Sequence, residues 1–159
     1  MKKSKGLLLA AFVTLAGLYS CDSIDCTLEN TVVMLCNIYQ DGKTVQINDT
    51  LTITAQDSVV LLNRKTGASA LKLSLSYFQP VDTLVLSVAG TDYTFTDTVW
   101  IEKTSYSHFE SPDCPVNMFH HITDVRSTHV FIDSISITQP DVNFAAHENL
   151  QIHMYPSAD

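Results

Sequence analysis

DTLVLSVAGTDYTFTDTVWIE, residues 82–102, sets the pattern from which the fold is read. Leu84, Leu86 and Val88 recur at a period of two, which places one set of side chains inward and the other outward along a β-strand. Ala89-Gly90-Thr91-Asp92 is a turn signal, and a further apolar run follows it. The opening of this stretch is a phrase: Asp, then Ser or Thr, an apolar residue, any residue, and a second apolar residue. The phrase recurs as DTLTIT (49–54), DSVVLL (57–62), DTLVLS (82–87), DTVWIE (97–102) and DSISIT (133–138). Each copy reads as a strand opening, with Asp expected in the preceding turn, where its carboxylate bonds nearby backbone N–H groups. DSVVLL is apolar on both faces and is expected to be a more deeply buried strand. DTVWIE puts Trp100 among its outward positions.

Outward from the phrase, further strands are predicted at 31–39, 43–47, 71–77, 92–96, 117–122, 128–132 and 148–154. Asp41-Gly42, Asn48-Asp49, Lys65-Thr66-Gly67 and Gln139-Pro140-Asp141 supply more turns. The apolar phase slips between Val130/Ile132 and Ile135/Ile137, which predicts a bulge or tight turn at Asp133-Ser134. VNMFHHITDVR, 116–126, reads either as two or three helical turns or as an extended arm. Many short strands at such spacing predict an all-β fold, an immunoglobulin-like antiparallel β-sandwich. The copies of the phrase are 8, 25, 15 and 36 residues apart, too irregular for a solenoid.

The start of the chain, MKKSKGLLLAAFVTLAGLYSC, joins a basic opening to an uncharged apolar run too short to span a bilayer comfortably. Leu18-Tyr19-Ser20-Cys21 resembles a bacterial lipobox and lacks the A-x-A pattern of ordinary signal cleavage. The expected organisation is a lipoprotein signal peptide at 1–20, an anchor and tether at 21–29, and a single β-sandwich domain at 30–159. Acylation of Cys21 would make membrane lipid a partner, each buried methylene contributing ~0.8 kcal/mol. Loss of residues 1–20 removes Lys2, Lys3 and Lys5 and no acid. That leaves six Lys and Arg against 17 Asp and Glu, a charge of −11 with His neutral. Such a surface repels phosphate backbones, so no nucleic-acid partner is expected.

With Cys21 assigned to the anchor, Cys26, Cys36 and Cys114 remain in an oxidising compartment. Cys36 alternates in phase with Val32, Met34 and Ile38 and should face the core as a small apolar residue. Cys26 and Cys114 sit in irregular DCT and DCP settings, which favours a Cys26–Cys114 bridge; Cys26–Cys36 and no bridge are the alternatives.

The common catalytic and phosphate-binding motifs are missing, so no catalytic residue is assigned, no cofactor is expected, and the protein is read as a non-enzyme. HFESPDCPVNMFHHITD holds the metal candidates His108, Glu110, Asp113, His120 and Asp124. His121 is their neighbour, but adjacent strand residues point to opposite faces, so His120 and His121 do not readily share a ligand. Tyr77-Phe78 and Trp100 raise a carbohydrate-binding reading through ring stacking.

The Cys21 leader, CDSIDCTLENTVVMLCNIY, HFESPDCPVNMFHHITDVRSTHVFIDSISITQPDVNF and the ENLQIHMY ending together resemble a family of small Bacteroidetes lipoproteins classed as a domain of unknown function. The resemblance covers nearly all of the mature chain and implies a secreted β-domain on the cell envelope, an outer-membrane lipoprotein facing the periplasm or the surface. It also implies O-glycosylation at the Asp-Ser/Thr-apolar triplets, giving Ser23, Thr50, Ser58, Thr83, Thr98 and Ser134, with outward Thr50, Thr83 and Ser134 the most suitable and Ser58 the least. The expected role is a binding or structural module without catalysis, its partner an envelope protein or glycan. The alternative is a calcium- or metal-dependent ligand-binding domain, carbohydrate among the ligands.

Overall fold

Two sheets face each other across a core of aliphatic side chains in the computed structural model, which describes residues 32–112 and 114–156. The expectations for 1–20, 21–29, Cys21, Ser23, Cys26 and Asp113 lie outside the described residues. The first sheet is built on β1 (Met34–Gln40), β2 (Lys43–Thr44), β5 (Ala70–Leu73), β9 (Ile132–Ile137) and β11 (Glu148–Met154). Here β1 pairs with β11 on one side, while β5 and β2 share its other side, and β9 closes the far edge beyond β11. The second sheet runs in the order β10 (Asp141–Val142), β8 (Asn117–Ser127), β7 (Thr94–His108), β6 (Val81–Ala89), β3 (Thr50–Ala55) and β4 (Val60–Lys65).

The period of two does the work the sequence assigns to it. Along β6 every second residue is buried, and Leu84, Leu86 and Val88 pack against Leu51 and Ile53 of β3 and Val99 and Ile101 of β7. Full burial of such a side chain contributes about 1.5–3 kcal/mol. Cys36 is buried among Met34, Ile38 and Leu71 as a free thiol, and burial pushes it up to about 12. Cys114 is disulfide-bonded, its partner lying outside the described residues. Asp41 and Gly42, at φ +51° and +73°, make the tight turn between β1 and β2 that needs two left-handed residues.

Several expectations are corrected. The strands expected at 92–96 and 97–102 are one strand, β7, and 117–122 extends to β8, with no helix in 116–126. DSVVLL is not deeply buried: Gln56–Ser58 form a 3₁₀ turn, and β4 is an exposed edge strand with two register shifts against β3. Val59 and Val60 are more than half exposed there. Residues 128–131 form a loop instead of a strand, in which the Val130 and Phe131 N–H groups donate to the buried Asp97 carboxylate and the Thr128 N–H to the Thr98 carbonyl. The bulge expected at Asp133-Ser134 is present: Ser134 pairs with His153 and Ile132 with Met154, leaving Asp133 as the extra residue. One pairing departs from an all-antiparallel sandwich, since β1 and β11 run parallel.

β1 starts beside the end of β5, where Met34 pairs with Leu73, and finishes where the Gln40 amide donates to the Tyr155 carbonyl at 2.7 Å. These positions define a proximal end, where the described domain begins, and a distal end across the length of the strands.

Candidate functional site

The recurring phrase places Asp two residues before its first apolar residue. In a continuous strand that spacing puts the carboxylate on the inward face with them. Asp82 and Asp97 lie inside β6 and β7 and are 8% and 0% exposed, so the turn role expected for them is replaced by a buried one. A buried carboxylate is costly unless it is paired or fully hydrogen-bonded. Each finds partners far along the chain.

At the proximal end, the Lys103 ammonium sits 3.1 Å from Asp82 Oδ2 with its side chain wholly buried. It also donates to the carbonyls of Ser76 at 2.8 Å and Gln79 at 2.5 Å, so all three of its protons are placed. Asp82 accepts in turn from the Ser76 N–H, and the segment 74–80 is strapped across this end. Beside them His120 Nδ1 lies 2.8 Å from Ser105 Oγ, and Tyr77 stacks near the imidazole at 6.5 Å. Burial, helped by the Lys103 ammonium and opposed by Asp82, brings His120 down to about 4, so it is neutral at pH 7. A cleft of about 330 Å³ opens above Asp82, lined by the 3₁₀ turn and residues Leu75, Ser76 and Gln79. Neither Ser105 nor His120 lines it.

At the distal end Asp97 accepts four hydrogen bonds from the loop between β8 and β9 and the first residue of β9. The donors are Thr128 Oγ1 at 2.5 Å and the N–H groups of Val130, Phe131 and Ile132 at 2.7–2.9 Å. Burial alone would raise the Asp97 pKa, but these four donors outweigh it and hold the carboxyl below its ordinary range. Val130 and Phe131, fixed in this way, form one wall of a groove of about 540 Å³ between the sheets. Val88, Tyr93 and Phe95 form the opposite wall, with Met154, Tyr155 and Pro156 closing it. The Tyr93 and Phe95 rings lie 5.1 Å apart at 36°, and the Tyr93 hydroxyl donates to Asp49 Oδ2 at 2.5 Å. That contact, with burial of the phenol and the charge of Asp49, raises the Tyr93 pKa above its ordinary value. Gly90 lets the ring lie there, since a Cβ at this position would stand 2.5 Å from Tyr93 Cζ.

The metal candidates are dispersed. His120 faces the interior, whereas His108 stacks on Phe119 at 4.2 Å, and Asp124 lies on the outer face with Arg126 at 3.5 Å. Glu110 occupies the exposed tip between β7 and β8. Among the described residues no three His, Cys, Asp or Glu side chains gather as a metal site, and His108, Glu110, His120 and Asp124 line neither cavity. The aromatic candidates are separate too: Trp100 pairs with Thr83 and Arg126 on the outer face of the second sheet, and Phe78, 91% exposed, meets Tyr77 edge-on. The groove aromatics Tyr93, Phe95 and Tyr155 were missed, although the alternation of Tyr93 and Phe95 just after a turn was legible. Of the hydroxyls singled out, Ser58 and Ser134 are exposed and Thr50, Thr83 and Thr98 half-buried. Exposure therefore reverses the expected placing of Ser58.

A family profile described as a family of unknown function, DUF6452, matches residues 50–154. The chain belongs to the DUF6452 family. The match runs from β3 through β11, so the DUF6452 region holds the Asp82–Lys103 pair, the Asp97 clamp and both main walls of the groove. No curated protein and no solved structure matches this DUF6452 chain.

Proposed function

We propose that this protein is a lipid-anchored cell-envelope binding module, carried on the outer membrane through Cys21 and presenting the distal groove to a ligand, with no catalysis of its own. The observation behind the binding role is the groove: an open, mostly apolar concavity with four aromatic rings in its lining, one wall of which is held by the buried Asp97 carboxylate. Binding sites are commonly concave and apolar with a few placed polar groups, and the Asp49–Tyr93 pair supplies those here. The groove also lies at the opposite end from Val32, where the described domain begins. A tether at 21–29 would thus hold the groove away from the membrane. The anchor reading itself rests on the leader and on Leu18-Tyr19-Ser20-Cys21.

Two measurements test the two halves. Intact mass spectrometry of the natively expressed protein should show an acylated Cys21, and a Cys21→Ser variant should leave the membrane fraction; an unmodified Cys21 removes the anchor. For the groove, a fragment panel screened by NMR should give hits whose shift changes cluster at Val88, Tyr93, Phe95, Val130 and Phe131. Hits elsewhere, or none, would remove the binding role.

A further inference from the structure

We infer that the distal groove takes an organic ammonium ion, a weakly hydrated onium head with an apolar skirt. This rests on the groove being the binding face and names the ligand that its chemistry selects. Among the described residues nine line it, of which Asp49 alone is charged and none is Lys, Arg or His. Asp49 Oδ2 is held by the Tyr93 hydroxyl, while Oδ1 accepts no hydrogen bond from the described residues. The groove therefore pairs a spare anionic acceptor with aromatic faces, and an aromatic face attracts a cation through its quadrupole.

Other ligand classes fit less well. Calcium needs six to eight oxygen ligands and magnesium a near-ideal octahedron, whereas one carboxylate points here. A sugar needs several hydrogen-bonding side chains for its hydroxyls; beyond Asp49 and Tyr93 the described lining offers only the Tyr155 hydroxyl, which donates to the His129 carbonyl at 3.4 Å, and the rest is Val, Phe, Met and Pro. A neutral apolar ligand would strip water from Asp49 without returning a partner, which is costly. An onium ion meets both demands, because its charge faces the carboxylate and its alkyl groups face the rings. The Asp97 clamp acts as a positioning device: it holds Val130 and Phe131 at a fixed distance from the Tyr93–Phe95 wall without touching the ligand.

The test titrates isotope-labelled protein with choline, tetramethylammonium and the uncharged carbon isostere of choline, reading amide shifts. The expected result is saturable shifts at Tyr93, Phe95, Val130 and Phe131 with both cations, binding on the order of tenfold tighter than the isostere. Asp49→Asn should weaken the cations by a similar factor and leave the isostere unchanged. Gly90→Ala keeps every lining side chain but forces the Tyr93 ring away, and should weaken the cations with the melting temperature held. An isostere that binds as tightly as choline, or an Asp49→Asn protein that binds choline undiminished, overturns the ammonium inference. In both cases the groove stands as a binding site. Absence of shifts from any of the three probes also overturns it, and the fragment panel then decides whether the groove reading falls with it.

Discussion

At the proximal end Asp82 meets an ammonium group inside the protein, and at the distal end Asp49 meets a phenol at the rim of a cavity. Both come from the same phrase in the sequence and both face the space between the sheets. The difference is in what remains after internal partners are counted. Lys103 has every proton placed and Asp82 accepts from Lys103 and Ser76, so the proximal cluster is closed on itself. Among the described residues none donates to the second oxygen of Asp49, beside an open groove lined partly by aromatic rings. A satisfied buried charge is part of the scaffold. One with spare capacity beside a cavity is available to a ligand.

The largest effect should come from breaking the proximal cluster. Lys103→Met leaves Asp82 unpaired in the interior and should cost about 3–5 kcal/mol in chemical denaturation, whereas adding Asp82→Leu should recover most of that. A single variant within 1 kcal/mol of wild type would show that the pair is not holding this end. Asp97→Asn comes next, at about 2–3 kcal/mol, because the amide cannot accept all four donors and presents N–H to N–H. The Asp97 carboxyl is held below its ordinary 3.8, so its stabilisation is complete above that value and is lost as pH falls through the folded pKa. The gap between wild type and Asp97→Asn should therefore narrow only below about pH 4.

A pH-dependent effect, absent at neutral pH, separates His120 from Asp97. His120 falls from 6.5 to about 4 on folding, so the unfolded chain takes up the proton first. Stability is complete above about 6.5 and declines as pH drops toward 4; His120→Gln should flatten that decline without altering the region above 6.5. In the Lys103→Met protein the His120 titration followed by NMR should move upward, because a neighbouring positive charge has gone. The smallest change in stability is expected at the distal end, where Gly90→Ala should stay within about 0.5 kcal/mol of wild type in the same denaturation assay.

The strand grammar and the turns were legible because they are local. Alternation at 84, 86 and 88, the Asp41-Gly42 turn, the inward Cys36 and the phase slip at Asp133 each follow from a few adjacent residues. The direction of Asp82 and Asp97 was legible in the same alternation, but turn propensity pulled the reading the other way. Phase wins once the strand continues through the Asp, and in β7 it also carries Lys103 inward. DSVVLL misled because two apolar faces are compatible with a central strand and with an edge strand beside a cleft. The groove could not be read at all: Asp49, Phe95, Phe131 and Tyr155 are brought together by packing across some hundred residues of chain. The same applies to the parallel pairing of β1 with β11, which joins positions far apart in sequence.

That parallel pair has a mechanical consequence. β1 enters at the proximal end and β11 leaves at the distal end, with ladder contacts from Leu35–Glu148 to Tyr39–His153. A pull on the chain ahead of β1, opposed by a load held at the distal groove, draws the two strands past each other along their length. The hydrogen bonds between them are then strained together, in shear, and must give way as a set instead of unzipping one at a time.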